Sequence, residues 1–198
     1  MDESVDDYKG WLASRPTLVE DRNHPNHWFN RAADLKASAG AVWFSMGADN
    51  AAISEALGYA PGNCMRTACK PIYFMLCGLA LELIMKAVLA QRGLTPDQFK
   101  GHKFEKLHQK LGLPLKRDMA KLMAFYEASL VWSGRYPTPI DATDEKLVSF
   151  YNLANEILTK PTDLGPSGIK FRVGTDELTN WTQFSRLWGS YAALFKTA

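Results

Sequence analysis

The sequence lacks the short motifs on which several large enzyme classes are built. It has no GxGxxG dinucleotide turn, no phosphate-binding P-loop, no GxSxG nucleophile elbow and no HExxH zinc motif. Cysteine is scarce: three residues lie within fourteen positions, with no C-x-x-C pair and no zinc-type Cys/His spacing. We therefore expect none of those enzyme classes, no bound metal and no cofactor. The free cysteines favour a reducing, cytoplasmic compartment.

Sequence features of secretion and of membrane insertion are also missing. The acidic N-terminus, Met1–Gly10, has no apolar run of the kind that a signal peptide requires. The longest apolar run, Ile72–Ala90, has nineteen residues, which is close to the length of a membrane span. Glu82 and Lys86 interrupt it, and each charge near a bilayer centre costs about 2.5–3.5 kcal/mol on insertion scales. The run therefore predicts a helix buried inside protein, and no membrane partner.

The apolar pattern predicts an all-α protein. Apolar residues recur at steps of three and four, which is the period of one helical face. A chain of 198 residues with 46% hydrophobic residues is large enough to bury one core, so we predict a single domain over residues 1–198. The predicted helices cover His27–Met46, Thr67–Arg92 with Pro71 in its first turn, Phe104–Leu111, Pro114–Val131, a helix capped by Asp141 or Thr143 and ending near Leu158, and Asp176–Phe195. The predicted non-helical segments are Gly47–Arg66, which holds at most one brief helix, Trp132–Pro139, and Lys160–Gly174, with a short extended stretch at Ile169–Val173.

Positive charge is concentrated in one part of the chain. The segment Lys100–Lys121 has seven basic and two acidic residues, a net charge of +5, whereas the remainder of the chain carries −3. Lys103, Lys106 and Lys110 share one side of the third predicted helix, opposite its apolar residues. Such a ridge can face phosphate groups, and the alternative is a solvated helix face.

Five further residues, Tyr136 among them, are candidates for binding or structure. Arg135 stands in a loop beside Tyr136, where a guanidinium group can stack on an aromatic ring or hold an anion. His102 precedes the third helix and is a candidate for proton transfer or for a helix-start role. Glu82 and Lys86 are four positions apart, which predicts either a surface ion pair or a buried structural pair.

Three segments carry a resemblance to a known family. They are WFNRAADL at Trp28–Leu35, GLALELIMKA at Gly78–Ala87 and GHKFEKL at Gly101–Leu107. In this order they resemble the HEPN superfamily of small helical-bundle proteins, whose members include toxin-type ribonucleases and nucleotidyltransferase partners. The resemblance spans roughly residues 24–160. It implies an up-and-down helical bundle at 24–160, with residues 161–198 as a C-terminal extension that contains one helix.

The nuclease members of that superfamily use an arginine followed, after four to six intervening residues, by a histidine at the start of a late helix. The matching arginine here is Arg135, but Ile140, Asp141 and Ala142 occupy the positions where the histidine should stand. The resemblance therefore implies a non-nuclease branch, or one that uses different groups.

Three hypotheses follow for function. The first is a non-catalytic homodimeric bundle that binds RNA, a nucleotide or a partner protein such as a nucleotidyltransferase, in a defence or toxin–antitoxin system. The second is a metal-independent ribonuclease in which Arg135 and His102 act across the dimer. The third is a structural interaction module. Self-association is expected because the second and last helices are too apolar to face solvent.

Overall fold

The computed structural model of the chain describes residues 3–47, 50–60, 62–163 and 170–196. The helices are α1 (Glu3–Ser14), α2 (Leu18–Arg22), α3 (Pro25–Ser45), α4 (Asn50–Ala56), α5 (Met65–Gln91), α6 (Phe104–Lys110), α7 (Arg117–Ala128), α8 (Asp144–Leu158) and α9 (Trp181–Ala192). A 3-10 turn at Pro96–Phe99 precedes α6, and a π-helical turn at Ser129–Ser133 continues α7. Two strands, β1 (Thr159–Asp163) and β2 (Lys170–Gly174), form an antiparallel hairpin between α8 and α9. The predicted all-α class is confirmed, apart from this hairpin.

Several predicted boundaries are wrong by a few residues. Helix α5 begins at Met65, so Pro71 lies inside the helix and not in its first turn. Helical structure continues to Ser133, beyond the predicted break at Trp132, because a π-helical turn accommodates the end of α7 and Gly134 donates its N–H to the carbonyl of Ser129. Helix α9 starts only at Trp181, where the Asn180 side chain caps it by accepting from the N–H of Gln183.

Helix α5 is the central element of the fold. It packs against α3, α7, α9 and the π-helical turn. Because neighbours cover most of its circumference, residues such as Tyr73, Ile84 and Leu89 have no exposed surface. Small residues let the partners approach closely: a Cβ on Gly78 would lie 2.6 Å from the carbonyl oxygen of Tyr126. The prediction of a buried α5 is therefore confirmed.

One helix in the described part of the chain is long and apolar enough to cross a membrane, and it is α5. Within the fold, 72% of its most apolar stretch is buried against other elements. The central helix of a bundle can be as long and as apolar as a membrane span, because neighbouring helices cover its apolar surface.

The C-terminal segment completes the core. Helix α9 buries Phe184, Leu187, Trp188 and Tyr191, and Tyr73 on α5 donates its hydroxyl proton to the carbonyl of Thr179 just before α9, at 2.9 Å. The residues predicted to form an extension thus supply part of the core. The apolar faces of α5 and α9, from which self-association was expected, are covered within one chain. The homodimer stays a prediction, and the apolar faces of these two helices no longer support it.

Candidate functional site

A buried carboxylate in the C-terminal half of α5 joins two basic side chains. Lys86 Nζ lies 2.5 Å from Glu82 Oε1, and His102 Nδ1 lies 2.8 Å from Glu82 Oε2. The side chains of Glu82 and Lys86 are 4% and 9% exposed, whereas that of His102 is 59% exposed. We call these three residues the His–Glu–Lys network. It extends from the interior of the bundle to its surface.

Local backbone geometry positions each member of the network. Glu82 and Lys86 are one helical turn apart on α5, so their side chains lie on the same face of the helix. His102 belongs to the connection before α6. It follows Gly101, whose φ of +89° is a conformation that side chains with a Cβ rarely adopt. This turn brings the imidazole of His102 to the carboxylate of Glu82. Of the two alternatives that the sequence left open for Glu82 and Lys86, a surface pair or a buried pair, the structure has the buried pair.

The hydrogen bond to Glu82 fixes the orientation of the imidazole ring. A carboxylate oxygen can only accept, so Nδ1 of His102 carries the proton and donates it. In the neutral ring, Nε2 is then the unprotonated nitrogen. A buried carboxylate that holds a largely exposed histidine can orient it for a hydrogen bond to a ligand or for proton transfer.

The predicted ridge of lysines borders this network. Lys103, Lys106 and Lys110 are exposed, and Phe104, Leu107 and Leu111 on the other side of α6 are buried, which confirms the predicted orientation. We define the basic face as His102, Lys103, Lys106 and Lys110.

The lysines of the basic face differ in their ion pairs. Lys103 Nζ lies 2.8 Å from Glu127 Oε1, while Glu127 Oε2 accepts from the N–H of Phe104 at 2.8 Å. Within the described ranges, Lys106 and Lys110 make no ion pair. These two ammonium groups are therefore the ones that are free to meet an external anion.

Arg135 and Tyr136 lie in a different part of the fold. Arg135 donates to the carbonyl of Val131, and its guanidinium carbon lies 5.3 Å from the centre of the Tyr136 ring, so the predicted stacking is present. The preceding Gly134 packs against Met75, seven residues before Glu82 on α5. Seven residues correspond to about 10 Å of helix axis. Among the described residues, no contact joins Arg135 to His102.

Two polar arrangements were missed by the sequence analysis. His108 is buried and contacts the hydroxyl of Tyr191 through Nδ1 at 2.8 Å and the carbonyl of Pro114 through Nε2 at 3.3 Å. Because a carbonyl only accepts, Nε2 carries a proton and Nδ1 of the neutral ring accepts from Tyr191. Burial raises the pKa of Tyr191 to about 12, so its hydroxyl stays protonated at neutral pH. This arrangement joins α6 to α9 and is structural.

The second missed arrangement lies at the first turns of α5. Arg66 and Lys70 both pair with Asp176, at 3.5 Å and 2.7 Å, beside a groove between α5 and α8. The spacing of Arg66 and Lys70 by four residues is visible in the sequence, but their shared carboxylate is more than one hundred residues away. Among the described residues, no group of three or more His, Cys, Asp or Glu side chains is placed to hold a metal ion.

No family model, no curated protein and no solved structure matches this chain. The HEPN resemblance therefore stays a prediction. The two segments that carry it on α5 and before α6 are those that supply Glu82, Lys86 and His102.

Proposed function

We propose that this chain is an HEPN-like helical bundle that binds single-stranded RNA on its basic face. The observation that supports the proposal most strongly is the combination on one surface of two lysines that have no ion-pair partner among the described residues and a histidine oriented by a buried carboxylate. Lys106 and Lys110 supply charge for phosphate oxygens, and the exposed edge of the His102 ring supplies a hydrogen-bonding or stacking group for a nucleotide.

The distribution of charge also favours a polyanion as the ligand. The net +5 on residues 100–121 lies within a chain whose remaining residues are net negative, so a long anion gains most by following this segment. A single nucleotide would meet few of these charges at once, whereas a single strand can contact several. RNA is therefore favoured over a free nucleotide or a partner protein.

Neutralising the two unpaired lysines should weaken RNA binding and reduce its dependence on salt. We expect the Lys106→Gln/Lys110→Gln variant to bind a fluorescent single-stranded RNA about tenfold more weakly at low salt, as read by anisotropy. The slope of log K against log salt concentration should fall in magnitude by about 1.4, or 0.7 for each lost phosphate contact on a single strand.

The matched control is Lys146→Gln/Lys160→Gln, which removes the same charge from two exposed lysines that are already paired with Asp141 and Glu177. It should bind RNA as the wild type does. Equal loss in both variants would show only an effect of net charge, and no loss in either would exclude the basic face. Lys103 is left intact because its ammonium group is already paired with Glu127.

Ribonuclease activity is a second candidate function, and one observation favours it: the Glu82-held imidazole of His102 is suited to transfer a proton. Against it, the arginine that should stabilise phosphate charge, Arg135, lies elsewhere in the chain and would have to come from a second copy. We expect no robust cleavage of single-stranded RNA by the wild type, His102→Ala or Arg135→Ala. If the wild type cleaves RNA strongly and both variants lose this activity, the function is catalysis and not binding alone. The expected loss in His102→Ala is large, because general acid–base catalysis typically contributes a factor of about 10²–10⁴ to the rate.

A further inference from the structure

A groove between α5 and α8 is separate from the basic face. It has a volume of about 490 Å³, which is within the range of sites for small organic ligands. The groove exists because α8 packs against α7 and the hairpin and, in the described part of the chain, does not pack closely against α5. We call it the aromatic groove, because Phe74, Phe125, Phe150 and Tyr151 line it.

The end of the aromatic groove is positively charged. Arg66 and Lys70 share one carboxylate, that of Asp176, so this cluster retains a net charge of about +1. The twelve lining residues include no aspartate or glutamate. The Arg66 side chain is 59% exposed and can turn toward a ligand without leaving the partly buried carboxylate of Asp176 unpaired, because Lys70 stays with it at 2.7 Å.

Polar groups are also present at this end. Pro71 has no N–H, so it cannot satisfy the carbonyl of Thr67, and both residues line the groove. Ser133 adds a hydroxyl group to the wall. The groove thus combines an apolar aromatic body with a few polar groups at one end, which is the composition typical of sites for small molecules.

A neighbouring groove on the other side of Phe150 has the opposite charge. It is larger, about 650 Å³, and Tyr136 and Ile140 contribute to its apolar wall. Its charged lining residues are Asp141, Glu145 and Lys146, a net charge of −1. An anionic ligand is therefore favoured in the aromatic groove and disfavoured in this one, although both are apolar.

We propose that the aromatic groove binds a small aromatic compound with a single negative charge, whose rings lie against Phe150 and Tyr151 and whose anionic group contacts Arg66 and Lys70. The monoanion matches the single uncompensated charge of the cluster. Flat rings match a wall that four aromatic side chains form, since ring pairs contribute more than the burial of their area alone.

Two fluorescent probes separate the charge contribution from the apolar one. 8-Anilinonaphthalene-1-sulfonate carries one negative charge, and N-phenyl-1-naphthylamine has the same rings without the sulfonate. We expect saturable binding of the sulfonate to the full chain at a 1:1 ratio. Arg66→Gln should weaken it about tenfold, the effect of losing a hydrogen bond to a charged group, and should leave the neutral probe unchanged.

Matched substitutions locate the probes. Tyr151 lines the aromatic groove and not the neighbouring one, so Tyr151→Ala should weaken both probes, whereas Tyr136→Ala and Lys146→Gln in the neighbouring groove should leave the sulfonate unaffected. Thermal unfolding of each variant checks that its fold is intact. The proposal is overturned if no saturable binding occurs, if Arg66→Gln has no effect on the sulfonate, or if Tyr136→Ala removes it.

Competition distinguishes aromatic from acyl anions. 1-Naphthoate should displace the sulfonate probe at lower concentration than decanoate does. Equal or better displacement by decanoate would overturn the aromatic assignment, because a flexible chain would then fill the groove as well as rings do.

Discussion

Replacing Lys86 by methionine is expected to lower the free energy of unfolding by about 3–5 kcal/mol. Methionine keeps most of the length of the side chain but removes the ammonium partner of Glu82, whose side chain is 4% exposed and keeps only the hydrogen bond from His102. A buried carboxylate that has lost its ammonium partner is costly because the protein interior solvates charge poorly. The loss should appear as a lower midpoint of urea denaturation with an unchanged slope.

Two controls distinguish burial from simple charge pairing. Lys103→Met also removes an ammonium group from a carboxylate, that of Glu127, but the Lys103 side chain is 72% exposed, so the expected loss is below about 1 kcal/mol. In the double variant Glu82→Leu/Lys86→Met both charges are gone, and most of the lost stability should return. A Lys86→Met variant as stable as Lys103→Met would contradict a buried His–Glu–Lys network.

The second large effect is expected at Gly78, where α5 meets α7 and the π-helical turn. A Cβ added here would lie 2.6 Å from the carbonyl oxygen of Tyr126 and 3.0 Å from Cβ of Leu130. The first contact is with backbone, which cannot rotate away. Gly78→Ala should therefore destabilise the protein by about 1–3 kcal/mol, although alanine is the better helix former.

Gly189 provides the matched control for this substitution. It lies inside α9, and an added Cβ would meet no atom within 4 Å. Gly189→Ala should stabilise the protein by about 0.5–1 kcal/mol through the lower entropy of the unfolded chain. Thermal and urea unfolding of both variants measure the contrast. A stabilising Gly78→Ala would show that α5 and α7 are farther apart than described.

The helices were predictable because local signals determine them. Pro25 at the start of α3, Thr143 as the cap of α8 and the glycines after α5 and α6 mark helix ends, and all four act through neighbouring backbone. Helices α1 and α2 were missed, although α2 has a sequence signature, since Thr17 and Glu20 form a capping box. Strand β1 has no alternating apolar pattern and contains Pro161, so only its partner β2 resembled a strand.

The members of the candidate site were visible in the sequence, but their association was not. Glu82 and Lys86 are paired by helical spacing alone. The contact of His102 with Glu82 depends on the positive φ of Gly101 and on how the connection after α5 folds back, neither of which has a local sequence pattern. For the same reason Glu127 could not be predicted as the partner of Lys103.

The location of bound RNA is the most direct test of the proposed function. Single-stranded RNA containing 4-thiouridine would be cross-linked to the wild-type chain by long-wavelength light, and the modified peptides would be mapped by mass spectrometry. The account predicts cross-links within residues 100–117, around His102, Lys106 and Lys110, which are lost at high salt. Cross-links confined to other parts of the chain, or none under conditions that saturate binding, would contradict it.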